Sequence, residues 1–101
     1  MNGINIYVPP EIWSSKELTI IEKLILGRIY YFTLKGNVRA CLESNGKLAE
    51  VFLIHKDTVR RALRNLEKGD LICKVQRNYQ RQLKLSPRCL SYFSSPSKDW
   101  D

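Results

Sequence analysis

Residues 44–72 read Ser44-Asn45-Gly46-Lys47-Leu48-Ala49-Glu50-Val51-Phe52-Leu53-Ile54-His55-Lys56-Asp57-Thr58-Val59-Arg60-Arg61-Ala62-Leu63-Arg64-Asn65-Leu66-Glu67-Lys68-Gly69-Asp70-Leu71-Ile72. Ser44 suits the N-cap of a helix over roughly residues 45–51, because its hydroxyl can accept from a backbone amide of the first turn. Leu48, Ala49 and Phe52 then face inward. Leu53-Ile54-His55 makes a tight turn into a second helix, about 56–68, which Gly69 closes. Along that helix Val59, Ala62, Leu63 and Leu66 recur at three- and four-residue spacing and form one buried stripe. A step of 100° per residue places Asp57, Arg61, Arg64 and Lys68 on the opposite face, with Arg60 on the flank. Two helices joined by a tight turn, the second apolar on one side and cationic on the other, describe a helix-turn-helix unit.

The flanking sequence extends this unit in both directions. Downstream, 70–75 and 81–85 read as two strands around a polar turn, Gln76-Arg77-Asn78-Tyr79-Gln80, with Leu83 and Leu85 at period two. Upstream, Thr19-Ile20-Ile21-Glu22 is a capping box opening a further helix whose Leu24, Ile25, Ile29 and Phe32, with Ile21 and Leu26 close by, form an apolar face. Gly27 inside it costs about 1 kcal/mol against alanine and so marks a close backbone approach. Lys35-Gly36-Asn37 ends that helix, with Gly36 at the position that needs positive φ, and 38–42 reads as a short edge strand. Residues 1–18 form an arm too apolar to hang free (Ile4, Ile6, Tyr7, Val8, Trp13), with Pro10 starting one helical turn through Trp13. Residues 87–101, rich in Ser and Pro, read as a tail or the start of a linker. The order is helix, short strand, helix, turn, helix, hairpin. It predicts an α+β fold, a winged helix-turn-helix domain over residues 19–86 with the hairpin as its wing.

Three stretches carry a family resemblance: Leu18-Thr19 with Glu22-Lys23 and Ile25-Leu26; Ser44-Asn45 with Leu48-Ala49-Glu50; and Thr58-Val59-Arg60-Arg61-Ala62-Leu63 with Leu66 and Asp70-Leu71-Ile72. Together they resemble the N-terminal winged-helix domain of phage and plasmid replication initiators, among them replisome organisers and DnaD-like proteins. The leading Tyr7-Val8-Pro9-Pro10-Glu11-Ile12-Trp13 is similar to the arm that precedes the first helix there. The match spans roughly residues 7–85, and its second half is shared with many bacterial transcription regulators. The resemblance implies duplex-DNA binding in replication initiation. Two positions depart from it: Leu53 stands where the family has glycine, and His55 where it has a serine cap.

Charge supports the same direction. Lysines and arginines number 17 against 10 acids, a net of +7. Residues 56–88 hold ten of the bases and three of the acids, so this third of the chain carries the whole excess. Such concentration is the footprint of a surface for a polyanion. At 101 residues, with 44% hydrophobic residues, there is room for one modest core and no large cleft. No run approaches the roughly 18 apolar residues of a membrane span, and the N-terminus lacks the basic and apolar regions of a secretory signal. A cytoplasmic protein without a membrane partner is the expectation. Cys41, Cys73 and Cys89 are odd in number and unpaired in sequence, so reduced thiols are expected rather than a metal or disulfide framework. Neither a glycine-rich phosphate loop, nor a histidine with a partnered nucleophile, nor a facing carboxylate pair is present, so no enzyme and no cofactor is expected.

The candidate DNA-binding residues are Lys56, Asp57, Thr58, Arg60, Arg61 and Arg64 on the third helix and Arg77, Asn78, Tyr79 and Arg81 around the wing. A helix is narrow enough for the major groove, and an arginine fork can take a phosphate or the O6/N7 edge of guanine. Asp57 either accepts from a cytosine amine or orients Arg61. Lys74 and Lys84 are neighbours of the phosphate backbone at most, and Lys47 is a phosphate contact or surface decoration. His55 reads as a cap or packing residue, and Tyr30-Tyr31-Phe32 as core or a dimer contact. Three functions stay open: duplex-DNA binding for replication initiation, transcription regulation through the same helix, and a winged helix used to hold another protein. The corresponding partners are double-stranded DNA, a second copy of the chain, and replication proteins.

Overall fold

The computed structural model describes residues 4–35 and 38–94. Its elements are α1 (Pro10–Trp13), α2 (Ile20–Lys35), α3 (Asn45–Phe52), α4 (Lys56–Lys68), β1 (Ile72–Arg77), β2 (Gln80–Leu85) and α5 (Pro87–Ser94). Helices α2, α3 and α4 surround a single core, and the antiparallel β1–β2 hairpin closes one side of it. This is a winged helix-turn-helix.

Local chemistry explains the element boundaries. Thr19 Oγ1 accepts from the Glu22 amide at 3.1 Å, while Glu22 Oε1 accepts from the Thr19 amide at 3.0 Å, completing the capping box. Glu22 is buried, and its second oxygen accepts from Asn65 Nδ2 at 2.9 Å, so the same carboxylate ties the start of α2 to α4. Helix α2 buries Ile25, Leu26, Ile29 and Tyr30. Leu24 and Phe32 are only half-buried, so the inward face is centred a little to one side of the expected stripe. Tyr30 takes the core position within the aromatic run, its hydroxyl donating to the Cys89 carbonyl at 2.8 Å. The expected helix end at Gly36 lies outside the described residues.

The arm packs as expected, and Gly27 is the reason it can. The Tyr7 amide donates to the Gly27 carbonyl at 2.9 Å. A Cβ on Gly27 would lie 2.6 Å from Val8 Cγ2 and 3.3 Å from the Tyr7 carbonyl oxygen. Gly27→Ala is therefore expected to destabilise the fold by about 1–2 kcal/mol, the clash outweighing the helix propensity gained. Urea denaturation checks this, and adding Val8→Ala to the variant should restore part of the loss.

Three sequence expectations are corrected. The edge strand at 38–42 reduces to one bridge, in which Cys41 and Leu83 exchange backbone hydrogen bonds of 2.9 Å. Arg39, at φ 62, turns the chain too sharply for a longer ladder. The wing is also longer than expected. Arg77 pairs with Gln80, leaving a two-residue turn, Asn78-Tyr79, in place of a five-residue loop. Finally, residues 87–94 form α5 in place of the expected tail. Ser86 caps it by accepting from the Cys89 amide at 3.2 Å, Pro87 fills the first helical position, and Cys89 is fully buried against Tyr30. Residues 95–101 of the expected tail lie outside the described residues.

Helix α4 ends at Lys68, with Gly69 at an ordinary φ of −78, and the left-handed residue is Asp70 at φ 60. The Leu71 amide bonds back to the Leu66 carbonyl and the Asp70 amide to the Glu67 carbonyl, both at 3.0 Å. That pair of bonds is a Schellman closure, and it aims the chain directly into β1.

Candidate nucleic-acid interface

Helix α4 is held by one face and free on the other. Val59, Ala62, Leu63 and Leu66 are buried, the stripe that the spacing predicts. Lys56, Asp57, Arg60, Arg61, Arg64 and Lys68 are exposed, and Thr58 is half-buried with its amide bonded to the His55 carbonyl at 3.0 Å. Asp57 pairs with Arg60 at 3.4 Å rather than with Arg61; an exposed pair of this kind is worth about 0–1 kcal/mol and exchanges readily. Among the described residues Arg61 and Arg64 make no hydrogen bond or ion pair. Two guanidinium groups thus stand in solvent on a rigid helix with no partner among the described residues.

The turn that presents this helix carries both departures noted above. Leu53 adopts the left-handed conformation, φ 58 and ψ 47, and its side chain is 90% exposed. The backbone route expected of glycine is kept, at a cost of about 1–2 kcal/mol. His55 occupies the N-cap of α4 with the extended backbone of a cap, and its side chain makes no capping bond. His55→Ser is expected to stabilise the domain by about 1 kcal/mol by supplying the missing acceptor. A higher midpoint in thermal denaturation is the check.

The wing is anchored beside α3 by an arginine. Arg81 donates to Asn45 Oδ1 and to the Glu43 carbonyl, each at 2.7 Å, and burial lowers its pKa from the ordinary guanidinium value. Glu43 in turn accepts from Arg28 with both carboxylate oxygens, at 2.9 and 2.8 Å. That bond is the main reason the Arg28 pKa is raised. Arg28 also donates to the Asn5 carbonyl at 3.1 Å and lies over the Phe32 ring at 4.9 Å. Two arginines therefore join the arm, α2, the start of α3 and the wing around one glutamate. Arg81 does not stand free with Arg77 at the wing tip: it is half-buried and spends two of its five donors on the fold.

The remaining wing residues, Arg77, Asn78 and Tyr79, are exposed as expected. A groove between α4 and the wing is lined by Arg60, Arg64, Lys74, Asn45 and Arg81. Lys74 faces this groove, 3.6 Å from Glu67, and so stands nearer the arginines of α4 than its place on a strand suggested. Asn45 is not among the candidate DNA-binding residues read from the sequence, because its partner Arg81 is 36 residues away.

Two of the three thiols are buried. Burial pushes Cys41 up to about 11 and raises Cys89, keeping both protonated at neutral pH, while Cys73 is exposed and unpaired. Among the described residues there is no cluster of three or more metal-ligating side chains, and no helix is long and apolar enough to cross a membrane.

No protein-family model matches the chain, and no curated protein matches it. Solved structures do. A variant of MepR from Staphylococcus aureus bound to an oligodeoxyribonucleotide superposes with a TM-score of 0.63 at 17% identity, over 90% of this chain and 64% of that one. ZitR from Lactococcus lactis gives 0.56 at 20% identity, over 84% of this chain and 54% of that one. The adhesin competence repressor AdcR from Streptococcus pyogenes gives 0.55 at 18% identity, over 86% and 60%. The chain thus spans between 54% and 64% of the length of these proteins. At such identities the likeness establishes the winged helix-turn-helix fold.

Proposed function

We propose that this chain is a duplex-DNA-binding domain that lays α4 in the major groove, holds the adjacent backbone with its wing, and serves transcription regulation. The observation that carries the reading is the solvent face of α4, where Lys56, Arg60, Arg61, Arg64 and Lys68 are exposed and, among the described residues, Arg61 and Arg64 have no partner. Cations fixed on a rigid rod meet phosphates and base edges without first breaking internal bonds. Asp57, on the same face, adds an acceptor for a cytosine amine.

Regulation is preferred to replication initiation because proteins of like architecture include MepR, described as a transcription regulator of the Staphylococcus aureus multidrug efflux pump MepA, and it has been solved with DNA. The reading assigns binding and no catalysis to this chain. Selection from a pool of random duplexes tests the base-reading part. Repeated rounds are expected to enrich one short motif, and genomic fragments carrying it should lie upstream of genes. A recovered pool as random as the input would overturn sequence recognition, and motif copies clustered as tandem repeats would restore the replication reading.

A further inference from the structure

The wing ends on an aromatic side chain that does nothing for the fold. Asn78 and Tyr79 form the two-residue turn with φ 50 and 65. The second position of such a turn favours glycine, and a bulky residue there is held against its steric preference. Tyr79 is fully exposed and, among the described residues, makes no hydrogen bond or ring contact. It is nonetheless placed. A hollow of about 360 Å3 between the wing tip and the start of α3 is lined by Tyr79, Gln76, Gln80, Glu43, Asn45 and Arg81. The last two residues also line the groove that carries Arg60 and Arg64. The groove beside α4 therefore continues to the Tyr79 ring. Residues 71–94 contain five bases and no acid, so the wing carries net positive charge, and the Glu43 carboxylate in the hollow is paired with Arg28.

We propose that Tyr79 stacks on a nucleobase that is already out of the double helix, so that the domain favours duplex DNA bordered by an unpaired base over uninterrupted duplex. The inference rests on the DNA-binding reading above and names the form of DNA it prefers. In an intact duplex the ring could reach a base face only by opening a step, and one ring recovers less than that opening costs. No second apolar wedge stands beside it, since Gln76, Arg77, Asn78 and Gln80 are all polar. Where a base is already unstacked the opening cost is absent and the stacking gain remains. The amides of Gln76, Asn78 and Gln80 each carry a donor and an acceptor, the complement of a base edge that has lost its pairing partner.

Anisotropy titrations at one salt concentration test this. They compare an uninterrupted duplex with the same duplex carrying a short single-stranded extension, whose first unpaired base is 2-aminopurine. The wild-type protein is expected to bind the extended duplex about tenfold more tightly, equivalent to about 1.4 kcal/mol, and to quench the 2-aminopurine fluorescence. Tyr79→Ala should lose both the preference and the quenching, its affinities for the two DNAs becoming equal, and Tyr79→Phe should keep both. Equal wild-type affinity for the two DNAs, or a preference that survives in Tyr79→Ala, overturns the inference and leaves the DNA-binding reading standing. Binding to neither DNA overturns both.

Discussion

Glu43→Ala is expected to remove about 3 kcal/mol of folding stability, lowering the Tm by roughly 15 °C for a domain of this size. The magnitude follows from what the substitution leaves behind. Arg28 and Glu43 have side chains only 12% and 14% exposed and are joined by two short hydrogen bonds. Removing the carboxylate strands a largely buried guanidinium, and that uncompensated charge is the dominant penalty. The pair itself contributes far less, because burying both ions already cost much of what their attraction returned. A double variant, Arg28→Met with Glu43→Leu, is therefore expected to recover most of the loss. Differential scanning calorimetry of the three proteins separates the two ideas. A Glu43→Ala protein that melts within a few degrees of wild type would show the pair to be solvated, contrary to its burial here.

The second large effect falls on binding and leaves the fold alone. Arg61→Ala with Arg64→Ala is expected to weaken DNA binding by about 2–6 kcal/mol, since each guanidinium bound to phosphate or guanine is worth about 1–3. Both side chains are exposed and, among the described residues, without partners, so folding stability should move by no more than about 0.5 kcal/mol. Lys16→Ala with Lys35→Ala provides the control. Both lysines are exposed, lie on α2 or just before it, and lower the net charge by the same amount. If binding depends on the placement of charge on α4 rather than on total charge, this control retains most of the affinity.

The elements most legible in the sequence are those whose signals are local. The stripe Val59, Ala62, Leu63, Leu66, the Ser44 cap, the Thr19–Glu22 capping box and the close approach at Gly27 all stand in the structure as the spacing and residue types predict. The departure at Leu53 left the shape of the turn open, and the structure keeps the left-handed backbone there despite the side chain. What escaped falls into two kinds. Some signals were ambiguous: Ser-Pro at 86–87 marks a turn as readily as a helix start, and the helix that follows is only eight residues long, with Cys89 as its buried anchor. The wing tip lacks the glycine that advertises a two-residue turn, and its strands lose their alternation where both faces are wet. Other features join residues distant in sequence. Arg28 meets Glu43 across 15 positions and Arg81 meets Asn45 across 36, and no local pattern announces such partners. The cationic face of α4 could be read because one helix carries it. The role of Arg81 could not, because it depends on where the wing lies.

That α4 is the DNA-binding surface is tested most directly by the salt dependence of binding to a random duplex of about 30 base pairs, for the wild type and the Arg61→Ala/Arg64→Ala variant. Log K for the wild type is predicted to fall linearly with log salt at a slope reflecting about four to seven phosphate contacts. In the variant the slope should be shallower by about two contacts. A wild-type slope near zero, or one that the variant shares, would contradict the placement of α4 on DNA.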